Sequence, residues 1–225
     1  MSERLHVYSA GALFDSYTRF VNSRIAQSIE EITRGRVRVE LPQSFVAGQP
    51  LERVRGLCLY HLVCSDLVIA NADGTQVDDG TVFEVAVAMF VGIPIVWHRD
   101  DFRGAGDSPR VPLNIMLDGG SAVKFVGTPA ILKDALARRE IDANGLSSLD
   151  LELRVAETSL FRRASDIVDA MRELRSCRNI LPVVEVASTI RRVVRTVAPE
   201  LHDMLTPQVI DGIVGRRLGS DMWEF

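Results

Sequence analysis

The sequence predicts an α/β fold: a flavodoxin- or Rossmann-like parallel sheet with helices on both faces, followed by a helical C-terminal extension. Three observations predict it. Strand-like and helix-like stretches alternate through residues 1–148, the pattern of βα units. The stretch 67–72 (LVIANA) is apolar throughout, as a strand covered on both faces must be. From residue 149 to 225 strand-like stretches disappear while apolar residues keep helical spacing. The chain therefore divides into an α/β domain, residues 1–148, and a helical extension, residues 149–225.

The elements follow in order. Residues 5–10 form a strand that ends at Gly11. Phe14, Tyr17, Phe20, Val21, Ile25, Ile29 and Ile32 then recur at helical spacing. Residues 37–41 alternate as a second strand, stopped by Pro42, and residues 51–63 read as a helix. After the third strand, a helix is expected over 81–91 and a strand over 93–97, beyond a Gly-Ile-Pro break. A fifth strand at 122–126 and a helix at 129–139 complete the domain. The extension reads as amphipathic helices at 151–175, 184–197 and 207–217, punctuated by Pro182, Pro199 and Pro207.

Composition narrows the function. The 225 residues carry a formal charge of -4, against the basic surface that broad nucleic-acid binding requires. Cys58, Cys64 and Cys177 have no CxxC spacing, so free thiols in a reducing, cytoplasmic setting are expected. The start, MSERLHVYSAG, carries no apolar signal core and no transit character. The apolar stretch 82–97 is broken by Glu84, Gly92 and Pro94 and is too short for a bilayer span. His6, His61, His98 and His202 are scattered, so no metal or cofactor is expected. The first strand ends without G-x-G-x-x-G, and no P-loop occurs. The arginines of the extension (Arg162, Arg163, Arg191, Arg192, Arg195, Arg216 and Arg217) read as a solvated face interleaved with acids.

In an open α/β sheet, ligands bind beyond the carboxyl ends of the strands. That edge receives Tyr8 to Gly11, Gln43, the loop 71–80, and His98 to Asp101. Asp66 falls at the opposite edge, as a turn residue. The loop gathers Asp73, Asp78 and Asp79 ahead of Gly80, Thr81 and Glu84, and crowded carboxylates shift one another's pKa values. Glu84 is the only charged residue between Val82 and Trp97, in a helix apolar enough to be buried. A capping box, with Thr81 as cap and Glu84 returning to its N–H, is the competing structural account. For Tyr8 the corresponding account is a core residue.

The segment Asp78-Asp79-Gly80-Thr81-Val82-Phe83-Glu84, after Ser65-Asp66-Leu67-Val68-Ile69-Ala70, resembles the D-x-G-T-x-x-E segment of nucleoside 2-deoxyribosyltransferases and their nucleotide N-glycosidase relatives. Val7-Tyr8-Ser9-Ala10-Gly11 with Leu13-Phe14, then Leu41-Pro42-Gln43, and later Pro112-Leu113-Asn114-Ile115-Met116, are similar to further family segments in the same order. The likeness covers roughly residues 5–140.

The resemblance implies Glu84 as nucleophile at the anomeric carbon, Asp78 as acid to the departing base and Tyr8 as the group that orients the glutamate. It implies Gln43 at the base and Asn114 at the sugar 5′-hydroxyl, in a neighbouring subunit of a homo-oligomer. Gly11, Phe14, Asp73, Gly80 and Met116 complete the expected binding set. The family's usual aspartate eight residues before the position of Asp66 is Cys58 here.

The expected substrates are a nucleoside and a free nucleobase, with neither nucleic acid nor membrane as partner. The loop 98–114 reads as a lid. Its Arg99, Arg103 and Arg110 raise a 5′-monophosphate hydrolase as an alternative. A non-catalytic nucleotide sensor is the alternative from another class.

Overall fold

The computed structural model describes residues 4–103, 113–114, 116–117, 122–174, 183–218, 223 and 225. Arg110, Cys177 and the central part of the expected lid lie outside them. Five strands form one parallel sheet: β1 (Leu5–Ala10), β2 (Val37–Glu40), β3 (Leu67–Asn71), β4 (Ile95–Arg99) and β5 (Val123–Gly127). Their order is β2-β1-β3-β4-β5. This is the flavodoxin-like arrangement, which reverses between β1 and β3 and opens a crevice beyond their carboxyl ends.

Strand periodicity sorts side chains between two cores. Leu5 and Val7 of β1, Leu67 and Ile69 of β3 and Val96 of β4 point to one face. Helices α1 (Ser16–Ile32) and α6 (Ser148–Glu173) cover that face, and α5 (Ala130–Glu140) packs on α6. Tyr8, Ala10, Val68, Ala70, Ile95 and Trp97 point to the other. There they meet α3 (Leu51–Val63), α4 (Asp79–Phe90), α7 (Val183–Val197) and α8 (Pro207–Leu218). The helices after residue 148 thus pack on both faces of the sheet.

Three boundaries differ from expectation in ways that move functional groups. Pro42 does not end structure after β2; it opens a short helix, α2 (Pro42–Val46), in the first-turn position where its missing N–H costs nothing. Strand β4 starts at Ile95 and runs to Arg99, so His98 and Arg99 are buried strand residues and not part of a loop. Helix α4 starts two residues early, at Asp79, because Asp78 caps it.

The extension's arginines are not one solvated face. Arg191, Arg192 and Arg195 are exposed, but Arg163 is 1% and Arg217 5% exposed. Arg217 donates from Nη2 to the carbonyls of Val63 (2.9 Å) and Ser65 (3.2 Å), and from Nη1 to that of Val91 (3.1 Å). It thereby fastens α8 beneath the amino ends of the strands. Burial pulls its pKa down to about 10. Asp66 lies at this same edge, where its Oδ2 accepts from the His6 N–H (2.9 Å).

Arg217→Met would leave three buried carbonyls without their donor. Unfolding in urea is expected to show a loss of roughly 2–4 kcal/mol, because methionine fills similar space with no hydrogen bond to offer.

Candidate active site

The crevice at the switch point is set by close backbone approach. A Cβ on Gly11 would lie 3.2 Å from Asn71 Cβ, so glycine lets the exit of β1 sit against the end of β3. Asn22 of α1 ties the two together. Its Nδ2 donates to the Ala12 carbonyl (3.1 Å) and its Oδ1 accepts from Asn71 Nδ2 (3.4 Å).

Glu84 sits in the second turn of α4, on the side turned toward β1. Tyr8, fully buried, donates its Oη–H to Glu84 Oε1 at 2.6 Å. Burial pushes the Glu84 carboxyl up; the Tyr8 hydrogen bond pulls it down and the Asp78 charge pushes it up again, giving a pKa of about 7. Burial, then the neighbouring Glu84 and Cys58, push the Tyr8 phenol well above its usual range. The phenol therefore stays protonated and serves as a permanent donor. Cys58 of α3 belongs to the same corner: burial and the Glu84 charge push its thiol up to about 11. A neutral thiol stands where a carboxylate was expected from the family pattern.

The capping-box account of Glu84 fails on geometry. The N–H of Thr81 donates to Asp78 Oδ2 (2.8 Å), as does the Thr81 hydroxyl (3.0 Å). Glu84, the sixth residue of α4, is therefore free of the helix end. Asp78 holds the cap with one oxygen, and its Oδ1 has no hydrogen-bond partner among the described residues. Gly80 belongs to this turn, since a Cβ there would come within 3.1 Å of Asp78 Oδ2.

The other expected residues divide. Asp73 is taken up within the protein. Its Oδ1 accepts the N–H of Asp100 (2.8 Å) and Asp101 (3.2 Å), and its Oδ2 accepts from Arg163 (2.8 Å). Despite burial, the Arg163 charge and these N–H donors hold its carboxyl below the usual range. Gln43 lies on α2 with Nε2 donating to the Arg19 carbonyl and to Ser23 Oγ, both at 3.0 Å. Its buried Oε1 has no hydrogen-bond partner among the described residues.

Phe14 is exposed, as are Asn114 and Met116. Asn114 Oδ1 accepts the Met116 N–H (2.9 Å). Neither the Tyr8–Glu84 bond nor the Asp78–Thr81 bonds involve these three.

Two of the three lid arginines are accounted for. Arg99 donates to the carbonyls of Ala72, Gly74, Asp101 and Arg103, stapling two loops together. Arg103 pairs through Nε with both oxygens of Asp101, at 2.9 and 3.0 Å. A cavity of about 500 Å³ opens beside these loops, with Asp78 in its wall and the exposed Tyr17 and Phe102 at its sides. Sequence reasoning placed Asn71 at this edge but missed its partner Asn22, and missed the joint of Arg163 with His98 and Asp100. Asparagines and arginines at helical spacing carry no sign of which neighbour they meet. Among the described residues, no three His, Cys, Asp or Glu side chains are grouped to hold a metal ion.

Residues 7–116 match the family model described as nucleoside 2-deoxyribosyltransferase. That span contains every candidate residue named above from Tyr8 to Met116. No curated protein matches the chain.

Among solved structures, a 2-desoxiribosyltransferase from Leishmania mexicana is 20% identical. That likeness covers 53% of this chain and 89% of that one, with a TM-score of 0.44. A conserved protein from Enterococcus faecalis V583 is 20% identical over 72% of this chain and 98% of that one, with a TM-score of 0.42. An oxidoreductase from Corynebacterium diphtheriae is 15% identical over 75% and 99%, with a TM-score of 0.33.

The raised Glu84 carboxyl links stability to pH. Its folded pKa of about 7 exceeds the ordinary 4.5, so the folded protein holds this proton more tightly and loses stability as pH rises between those values. Glu84→Gln is expected to be more stable than the parent by on the order of 3 kcal/mol above pH 7. Urea unfolding at intervals from pH 4 to 8 should show that gain vanish at the acid end. Tyr8→Phe removes the one interaction that lowers the Glu84 pKa. Carboxyl carbon NMR should then place the titration above that of the parent.

Proposed function

We propose that this protein, whose residues 7–116 belong to the nucleoside 2-deoxyribosyltransferase family, cleaves the N-glycosidic bond of 2′-deoxynucleosides and passes the sugar to another nucleobase. The observation that carries the reading is the 2.6 Å bond from a permanently protonated Tyr8 to a lone, half-buried Glu84 at the ligand-binding edge of the sheet. A helix cap or a core packing role would need neither partner.

The chemistry follows from the groups present. Breaking the bond between C1′ and the base nitrogen leaves positive charge on the sugar and negative charge on the base. The ionised Glu84 carboxylate stabilises that cation and captures C1′ as a glycosyl ester. The Tyr8 hydroxyl aims Glu84 and, by favouring its charged form, keeps a working fraction ionised at neutral pH. Asp78 gives its proton to the departing base from the oxygen that the helix cap leaves free. Such a proton transfer contributes roughly two to four orders of magnitude. A second base, entering through the same opening, attacks C1′, releases Glu84 and returns a proton to Asp78.

Nucleosides fit better than 5′-monophosphates, because Arg99 spends its donors on carbonyls and Arg103 is neutralised by Asp101. In this reading Phe14, Gln43 and Met116 line the substrate, no cofactor takes part, and the working form is a cytoplasmic homo-oligomer. The exposed Asn114 then reaches the 5′-hydroxyl in a neighbouring subunit's site. Among the described residues no helix is long and apolar enough to cross a membrane.

Incubation with 2′-deoxynucleosides, with and without a different free base, tests the reading by chromatography of the products. A new nucleoside that requires the acceptor base is expected, with Glu84→Ala reducing its formation by at least about a thousandfold. Free base without exchange, above all from 5′-monophosphates, would instead identify a hydrolase. Reversible binding with no cleavage would identify a sensor.

A further inference from the structure

One side chain of the C-terminal helices reaches the catalytic edge of the sheet. Arg163, on α6, is buried and lies under the ends of β3 and β4. Its Nη2 donates to Asp73 Oδ2 at 2.8 Å and to His98 Nδ1 at 2.5 Å, with Asn71 Oδ1 at 3.4 Å. Its Nη1 pairs with Asp100 Oδ2 at 2.9 Å. One guanidinium therefore joins the last residue of β3, the loop that follows it, β4 itself and the exit of β4.

Asp73 carries the connection onward. Its second oxygen holds the N–H groups of Asp100 and Asp101. Asp101 in turn accepts the N–H of Gly74 through Oδ2, at 3.2 Å. The chain from Asn71 to Gly74 is thus fixed at both of its ends, and it leads directly into Asp78 and the start of α4. Only a planar group with several donors can meet two carboxylates and an imidazole at once. Without it, two half-buried carboxylates would face each other uncompensated.

We infer that Arg163 is a positioning residue for the catalytic centre: it sets the β3–α4 loop and thereby the aim of Asp78, making helix α6 part of the site. Its kinetic consequence rests on the transferase reading above. A merely structural ion pair would lower stability and leave the folded enzyme's selectivity among leaving groups unchanged. A positioning role makes a sharper demand. Only substrates whose leaving group needs a proton should suffer.

The test compares the full chain with Arg163→Gln and Arg163→Lys, assayed below their melting transitions. Two substrates are used: a natural 2′-deoxynucleoside, and a deoxyriboside whose 4-nitrophenolate leaving group departs without protonation. For Arg163→Gln, kcat on the nucleoside is expected to fall about 10- to 100-fold with little change in KM. On the nitrophenyl substrate the fall should be less than about threefold. Arg163→Lys, which keeps the charge but bridges fewer partners, should recover part of the loss. An equal fall on both substrates, or no fall on either, would overturn the inference.

Hydrogen exchange supplies a readout that needs no turnover. In Arg163→Gln the amides of Gly74, Asp100 and Asp101 should lose protection while Val68 and Ile95 in the sheet keep theirs. Retained protection at the three loop amides would sink the inference even if the parent cleaves nothing. Absence of cleavage by the parent with those amides released would reject the transferase reading alone.

Discussion

A carboxyl group held away from water and facing one phenol is the constraint on which the rest of this molecule depends. Burial alone would leave Glu84 protonated and chemically idle. The Tyr8 hydroxyl offsets part of that penalty, and the outcome is a group balanced near neutrality. That balance requires β1 and α4 to be held at hydrogen-bond distance, which only the packed face formed by Tyr8, Ala10, Val68 and Val85 can guarantee. The sheet order places the same two elements beside the switch-point crevice. Fold and chemistry thus meet at one bond.

Polar networks then divide the labour around that bond. At the amino ends of the strands, Arg217 and Asp66 satisfy backbone groups where no ligand is expected. At the carboxyl ends, Arg99 and Arg163 do similar work but tie together loops that carry candidate site residues. Burial of Arg163 has a visible effect on its neighbour. His98, enclosed and next to that positive charge, is held well below its usual pKa and accepts a hydrogen bond as a neutral ring. Its ring serves here as the acceptor for Arg163.

Much of the fold was legible in the sequence because period-two and period-3.6 patterns report burial directly. Strand β1 and helix α3 have the bounds that their apolar spacing predicts. The displaced start of β4 has a plain cause: Ile93 and Pro94 continue the apolar run, and apolarity does not mark where pairing as a strand begins. Helix α4 begins ahead of the Thr81 that its apolar run suggests, because Asp78 supplies the cap. Of the candidate site, the Tyr8, Asp78 and Glu84 corner was readable from an ordered set of motifs. The enclosing polar joints were not, because they link residues far apart in sequence: Arg99 reaches Gly74, 25 residues away, Asn22 meets Asn71, 49 residues away, and Arg163 meets Asn71, 92 residues away.

Asp78 is bound to two duties. One oxygen begins a helix, and in the proposed reaction the other parts with a proton. The oxygen that accepts from the Thr81 N–H and the oxygen assigned to the base belong to one carboxyl, so the start of α4 and the proposed acid rest on the same side chain. A substitution that preserves the turn, such as serine or asparagine, forfeits the proton; one that preserves an acid on a longer stem, such as glutamate, forfeits the turn. On the proposed reading, either change costs the position one of its two roles.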